Sequence, residues 1–491
     1  MLKYQTVVHA LKSHAMDYPE RMAVWAENEG LNYKELYQLA CGFSKYLISI
    51  GLHRGDCVLM HTEQSLWYVV ALYGTHMAGG IFAPLEKDAS KESISDYISL
   101  TGASIIISKE DCESAFWVDV RRLREVAMSN LHGSDEFMLP DPEEPAELLF
   151  TAGSTGRPKG VLLSHKNVRA VAENLKTGME YRDDTLLVVP GALNHSNAVR
   201  KIHTTILNGS GVAILDGMMD VGKFFSLLDE MPVTALCFHP SVVHALLTLC
   251  GDEIGKYADS IEFIENGTAP LPEIEKERLR ELLPHTRLYN SYGLTEAGSS
   301  CMYDYNQMRG MGNCIGREMI NSHFIVVDDE RREIESSKDN CGLLAVGGDV
   351  VMMRYWDEPE LTADCIDGGY FFTSDVGYIN EGLIYLTGRK DDMLNIGGRM
   401  VSPVEIEEVA MDCPAVADCA CVPVEDALQG QAPKLFVVVK EGAELDKREL
   451  FGILRNKLEA SRVPKKVEVI DFIPRSFVGK KLRKELIIKK H

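Results

Sequence analysis

Thr151–Gly160, TAGSTGRPKG, follows directly on the apolar run Leu148–Phe150 and decides how the chain is read. Glycines 153, 156 and 160 let consecutive backbone N–H groups turn into a concave nest, and an anionic phosphate is the ligand such a nest fits best. Ser154 and Thr155 add hydroxyl donors, Lys159 adds a point charge, and Pro158 stiffens the exit. The stretch reads as a polyphosphate cradle between elements of regular structure; the plainer alternative is a mobile surface turn. It is not a Walker A loop, because Lys159 is preceded by proline and followed by Gly160 rather than by Ser or Thr.

Around this loop the composition sets bounds. At 491 residues the chain exceeds what one core supports, and 45% hydrophobic residues is ordinary for a globular protein. A formal charge of −22 argues against general nucleic-acid binding. That acidity is uneven: residues 447–491 carry Lys or Arg at 447, 448, 455, 457, 462, 465, 466, 475, 480, 481, 483, 484, 489 and 490 against acids at 449, 459, 468, 471 and 485. Such a tail either attracts phosphates or an acidic carrier protein, or is a solvated lysine-rich face. The twelve cysteines are scattered without a C-x-x-C pair, and the 419/421 spacing fits strand alternation rather than metal ligation. With charged and polar residues too early for a signal-peptide core, a reducing, cytoplasmic setting is expected. Ser65–Leu85 lacks Lys, Arg, Asp and Glu, but Gly74, His76, Gly79, Gly80 and Pro84 break it into a buried helix, a turn and a strand, so no membrane span is expected.

The periodicities alternate. Tyr33–Ile50 repeats at helical spacing, Cys57–Met60 and Ser104–Ile107 read as short strands, and Ser164 caps a helix from about Lys166 to Lys176. Leu186–Pro190 and Gly211–Leu215 read as buried strands flanking a helix over Asn194–Leu207, whose start, NHSNAVRKIH, is unusually polar. Arg200, Lys201 and His203 are read as an outward-facing helix side, the alternative being contact with a second acidic or polar substrate group. Phe324–Asp328 and Leu343–Gly347 suggest a smaller β-rich unit, and Ala420–Val424 and Leu435–Val439 are strands of a C-terminal α+β unit. The expected fold class is α/β, without internal repeats: a large N-terminal part with two α/β sheets plus a small β-rich unit, then a small mobile α+β domain.

Three further stretches accompany the loop: IEFIENGTAPLP (261–272), LYNSYGLTEAG (288–298) and IPRSFVGKKLRKEL (473–486). Together with TAGSTGRPKG they resemble the signature motifs of the adenylate-forming superfamily of acyl-CoA synthetases, peptide-synthetase adenylation domains and luciferases, over Leu148 to Leu486. Ala152 and Ser374 stand where that family usually has serine and glycine. The resemblance implies a phosphate-binding loop from Thr151, Gly153, Ser154, Thr155, Gly156 and Lys159. It implies an adenine turn at Gly267, Thr268, Ala269 and Pro270, with Asn290, Tyr292 and Gly293 beside it and Tyr292 stacking on the base. Thr295 would meet the α-phosphate, and Glu296 would hold Mg²⁺. Asp375 and Arg389 would bind ribose hydroxyls; the alternative for them is a buried ion pair. His195, Asn266 and Gly267 would line the acyl pocket, His195 having helix capping as its alternative. Asp391 would be the hinge between domains 1–389 and 390–491, Gly397 and Gly398 would pass close to the pantetheine arm of CoA, and Lys480 would be the catalytic lysine, with Lys481 the neighbour it must not be confused with.

The reaction so implied is carboxylate attack on ATP to give an acyl adenylate and pyrophosphate, then acyl transfer to coenzyme A, with an acyl carrier protein as the alternative acceptor. Amino-acid-activating relatives carry an F-D-x-S aspartate near the 194–207 helix; none is present, which favours a simple fatty or aromatic acid. No G-x-S-x-G or H-E-x-x-H string supports a hydrolase. Oligomeric state is not fixed by the sequence, and a homodimer stands as one option.

Overall fold

The computed structural model describes residues 3–112, 115–131, 139–151, 158–218, 220–396, 399–426, 429–475 and 481–488. They fall into two compact units, one drawn from residues 1–310, 317–323 and 346–371, the other from 311–316, 324–345 and 372–491.

The first unit holds two sheets. Short all-apolar runs such as Leu186–Val189 and Ala235–Phe238 are buried on both faces, the pattern that parallel strands under helical layers require. One sheet sets Met22–Ala26, Gly211–Ile214, Leu186–Val189, Ala235–Phe238, Phe263–Asn266 and Arg287–Leu294 side by side, all parallel. In the other, Phe116–Asp119, Ile105–Ser108, Cys57–His61, Ile81–Leu85 and Pro145–Thr151 are parallel neighbours, and Lys159–Ser164 turns back antiparallel on Pro145–Thr151. Ser164 caps the following helix, His165–Gly178, through a reciprocal pair of bonds with Asn167. The 65–85 stretch is the helix Leu66–Met77 and the strand Ile81–Leu85, and no described helix is long and apolar enough to cross a membrane.

The helix Ser196–Asn208 corrects one expectation. It packs on Leu186–Val189 and Gly211–Ile214 of one sheet while His203 reaches Glu147 of the other, so every residue from Ala198 to Asn208 is buried. Arg200, Lys201 and His203 are therefore inside, not on an outward face, because each has a partner on a different strand or turn. His203 Nε2 lies 2.6 Å from Glu147 Oε1, its Nδ1 lies 3.0 Å from the Tyr73 hydroxyl, and His76 Nε2 lies 3.0 Å from the Ala146 carbonyl. The His76 and His165 rings meet edge to face at 4.8 Å.

Burial holds His76 well below the ordinary imidazole range and His165 down at about 3. Burial pushes the Glu147 carboxyl up, but His203, His76 and Arg200 together more than reverse it, so Glu147 is held below the usual carboxylate range. Both effects act in one direction. The unfolded chain takes up protons on these histidines as pH falls below their ordinary value of 6.5, while the folded protein does not. Stability conferred by Glu147 is present above its ordinary value of 4.5 and is lost on further acidification. The thermal midpoint is expected to be highest near pH 7–8 and to fall below about 6.5, each neutral histidine costing up to about 1.4 kcal/mol per pH unit. Melting curves from pH 8 to 5 measure this, and His165→Gln should flatten the slope; a midpoint constant over that range would contradict it.

In the second unit, strands at 324–327, 342–345, 372–380 and Leu383–Arg389 form the expected small β-rich part. The α+β part follows, with strands Leu394–Ile396, Arg399–Val401, Val416–Asp426, Gly430–Val439 and Lys466–Val469 and the helices Pro403–Ala410, Lys447–Lys457 and Arg483–Ile488. Cys419 and Cys421 are buried two apart on one strand, and none of the twelve cysteines is in a disulfide. The basic C-terminal stretch is partly neutralised: Lys457 pairs with Asp412, Arg462 with Glu405, Lys465 with Asp426, Arg475 with Asp418, and Lys481 and Arg483 with Glu407.

Candidate active site

The stretch 151–160 begins and ends on a hairpin whose register sets Thr151 opposite Lys159 and Phe150 opposite Gly160. Gly153, Ser154, Thr155 and Gly156 lie outside the described residues. The chain at 352–356 then joins this hairpin to the YGLTEAG turn. Met353 N–H donates to the Leu162 carbonyl at 3.0 Å and Trp356 N–H to the Gly160 carbonyl at 2.7 Å, while Met352 N–H donates to the Glu296 carbonyl at 2.8 Å. Between the two motifs stands Tyr355. Its hydroxyl donates to Glu296 Oε1 at 2.9 Å, and Lys159 Nζ lies 5.6 Å from its ring centroid. Burial, and then the Glu296 carboxylate, push the Tyr355 hydroxyl far above the ordinary phenol range, so it stays a donor.

The turn itself is gripped from below. Arg200 Nη2 donates to the carbonyls of Leu294 at 2.7 Å and Thr295 at 3.1 Å, and the Thr295 hydroxyl lies 3.3 Å from that of Ser196. Arg200 Nε has no partner, and burial lowers the guanidinium to about 10. Gly293 admits no side chain, since a Cβ there would stand 2.2 Å from the Gly298 carbonyl oxygen. Tyr292 and Thr295 are half-buried beside it. Glu296 is half-buried too; with Oε1 taken by Tyr355, Oε2 remains for a cation, and one carboxylate suits Mg²⁺, which is bound mainly through phosphates and water. No cluster of three or more His, Cys, Asp or Glu that could hold a metal occurs among the described residues.

The second motif, 261–272, is placed at the carboxyl ends of the parallel strands, where open α/β sheets take their ligands. Asn266 and Gly267, expected together at the acyl pocket, point apart. The Asn266 amide donates to the Tyr305 hydroxyl at 2.7 Å in the core, whereas a Cβ on Gly267 would meet Glu265 Oε1 and Ser291 Oγ at 2.9 Å. Asn290 is the register partner of Asn266. Thr268 holds φ at +75°, a strained value for a β-branched residue, and its hydroxyl lies 3.2 Å from His239 Nδ1. Ala269 is half-buried and Pro270 exposed at the turn. His195 occupies the N-cap position of the Ser196–Asn208 helix without a capping side-chain bond; burial lowers it, as it lowers His239.

In the second unit, Asp375 and Arg389 face each other across adjacent strands, with Arg389 Nε 3.4 Å from Asp375 Oδ1. Arg389 also donates to the Ser374 hydroxyl at 2.8 Å, a use for the serine that replaces the expected glycine. Asp391 is exposed in the turn after Arg389. Gly397, Gly398 and Lys480 lie outside the described residues. Lys481 is committed elsewhere: its ammonium donates to Glu407 Oε2 at 2.7 Å and to the Cys419 carbonyl at 2.6 Å.

The chain belongs to the AMP-binding enzyme family, the adenylate-forming enzymes that its motifs resemble: the family's AMP-binding enzyme model matches residues 11–356 and its C-terminal-domain model residues 405–480. It is 28% identical to the 2-succinylbenzoate–CoA ligase of Geobacillus kaustophilus over 98% of this chain and 97% of that protein. Against 4-coumarate-CoA ligase 1 of Narcissus pseudonarcissus the identity is 26% over 94% of this chain and 88% of the other. ATP-bound MatB from Rhodopseudomonas palustris shares the fold, with a TM-score of 0.89 and 24% identity over 98% of both chains.

Tyr355 and Ser291 escaped the sequence reading, and Arg200 entered it as an outward-facing residue or a substrate contact rather than as the group that holds the YGLTEAG turn; a lone tyrosine before Trp356 carries no pattern of its own. Glu296→Gln is expected to slow ATP–pyrophosphate exchange roughly a hundred-fold and Tyr355→Phe about ten-fold. Because the hydroxyl acts through the carboxylate, the double variant should be no slower than Glu296→Gln; additive losses would separate the two residues.

Proposed function

We propose that the chain is an AMP-forming carboxylic acid–CoA ligase. A carboxylate is a poor acyl donor, and its approach to ATP brings two anions together. In the first step a carboxylate oxygen attacks the α-phosphorus, forming the acyl adenylate and expelling pyrophosphate. In the second, the CoA thiol sulfur attacks the acyl carbon, and AMP leaves with the electron pair of the broken acyl–oxygen bond.

The loop Thr151–Gly156 with Lys159 holds the β- and γ-phosphates, Thr295 meets the α-phosphate, and Gly267–Pro270, Asn290, Tyr292 and Gly293 receive the adenine. Asp375 and Arg389 take the ribose hydroxyls. Lys480 bridges carboxylate and phosphate, Asp391 is the hinge between residues 1–389 and 390–491, and Gly397 and Gly398 flank the pantetheine arm. Mg²⁺, held by Glu296, supplies positive charge to the phosphates. Positioning and electrostatic stabilisation carry such a step without a covalent enzyme intermediate.

The observation that carries this reading is the Tyr355 link, which joins Lys159 and Glu296, two charges from motifs far apart in sequence, in one folded unit. Relatives named as CoA ligases support CoA as acceptor. A carrier protein is less favoured, because much of the basic C-terminal charge is paired within its own unit. Cysteines outside disulfides agree with a reducing, cytoplasmic setting.

Carboxylate-dependent ATP–pyrophosphate exchange without CoA tests the first step, with α-amino acids expected to be silent. Lys480→Ala should abolish exchange yet still form acyl-CoA from a synthetic acyl adenylate; loss of both activities would remove Lys480 from its role. Lys481→Ala should keep exchange within about three-fold of wild type while lowering the thermal midpoint through the unpaired Glu407.

A further inference from the structure

A fatty or plain aromatic acid calls for an apolar acyl pocket, and the residues around Gly267 are not apolar. Lys201 and Glu265, both fully buried, pair at 3.1 Å. Lys201 Nζ also donates to Asn197 Oδ1 at 3.2 Å, Ser291 donates its hydroxyl to Glu265 Oε1, and the Cys237 thiol donates to Glu265 Oε2 at 3.1 Å. The cluster lies at the carboxyl ends of Ala235–Phe238, Phe263–Asn266 and the neighbouring Arg287–Leu294 strand, directly against Gly267: a Cβ there would also stand 3.5 Å from Asn197 Oδ1. Asn197 and Ser291 are half-buried, as are His195 and Thr268, so they form the accessible cover over the hidden pair.

Lys201 and Glu265 form a buried salt bridge. Burial pushes Glu265 up, but Lys201, Ser291 and Cys237 together hold it below the usual carboxylate range. Burial, reinforced by Glu265, keeps the Cys237 thiol protonated. An ammonium has three N–H donors. Asn197 and Glu265 take two of those of Lys201, and no third acceptor stands among the described residues. Among the neighbouring titratable groups, burial disfavours the protonated forms of His195 and His239, and the Arg200 cation is directed to the Leu294 and Thr295 carbonyls of the YGLTEAG turn.

Resting on the ligase reading above, we infer that Lys201 and Glu265, beneath Asn197 and Ser291, select a carboxylic acid that carries a neutral oxygen function, a hydroxyl or carbonyl, at the end remote from its carboxylate. Such an oxygen completes the Lys201 ammonium without adding charge. A second carboxylate would crowd Glu265, an ammonium would crowd Lys201, and a plain alkyl or phenyl end would leave the remaining N–H without a partner.

The test is ATP–pyrophosphate exchange by the full chain with acids matched in size: butyrate and 4-hydroxybutyrate, benzoate and 4-hydroxybenzoate, cinnamate and 4-hydroxycinnamate, with hexanoate, succinate and terephthalate as further arms. In at least one pair the hydroxylated acid should exceed its plain partner by about a hundred-fold or more in kcat/KM, since a site built to bond an oxygen rejects the analogue lacking it. In Lys201→Met/Glu265→Met, which removes both charges together, that ratio should collapse to within about ten-fold, because an apolar pocket discriminates weakly against an added hydroxyl. Exchange that favours plain acids or dicarboxylates, or a ratio unchanged in the double variant, overturns the inference and leaves the ligase reading standing. Silence with every acid overturns the ligase reading and this inference with it. The wild-type comparison needs no variant to fold.

Discussion

The helix Ser196–Asn208 is the constraint on which the larger unit depends. It is enclosed by both sheets, yet it carries a guanidinium, an ammonium and an imidazole within one turn. Unpaired charge at such depth would cost several kcal/mol per ion, so the fold is possible only where each group meets its partner: His203 on Glu147, Lys201 on Glu265, and Arg200 on the Leu294 and Thr295 carbonyls. These partners come from one sheet, from the other, and from the turn after a strand. A shift of the helix by one residue would mismatch all three at once, so the polar contacts act as a register key where an apolar helix would tolerate sliding.

That key also places chemistry. The turn held by Arg200 carries Thr295 and Glu296, and Glu296 is held from the other side by Tyr355, itself on the short strand beside the phosphate-loop hairpin. The Glu296 carboxylate and Lys159 are thus placed by two side chains outside any glycine-rich motif. Their rigidity comes from the core between the sheets rather than from the loop.

The parts legible in the sequence were those in which local pattern and tertiary outcome agree. The buried strands Leu186–Val189 and Gly211–Ile214 are short runs with no polar side chain, and Ser164 caps the helix that follows it. The Ser196–Asn208 helix misled because a helix with two covered faces shows polar residues for a reason that periodicity cannot express: the compensating charges lie 56 and 64 residues away. Asn266 and Gly267 are adjacent in the motif but alternate across the strand, so only Gly267 meets the Glu265 cluster. Tyr355 was invisible because its role comes from pairing with the Lys159–Ser164 strand. The residues of the phosphate loop proper and Lys480 were named from motif strings alone, and nothing in the folded arrangement bears on them.

The hairpin that frames the loop carries one more consequence. Because Thr151 is locked opposite Lys159, strand register constrains the number of residues from 152 to 158. Deleting or inserting one residue there would exchange the two faces of Lys159–Ser164, turning Leu162 away from its cluster with Leu148 and swinging Lys159 to the wrong side. The segment can therefore drift in composition, as Ala152 illustrates, while its length stays frozen, and natural variation in this protein's lineage should show substitutions in the loop but no single-residue gaps.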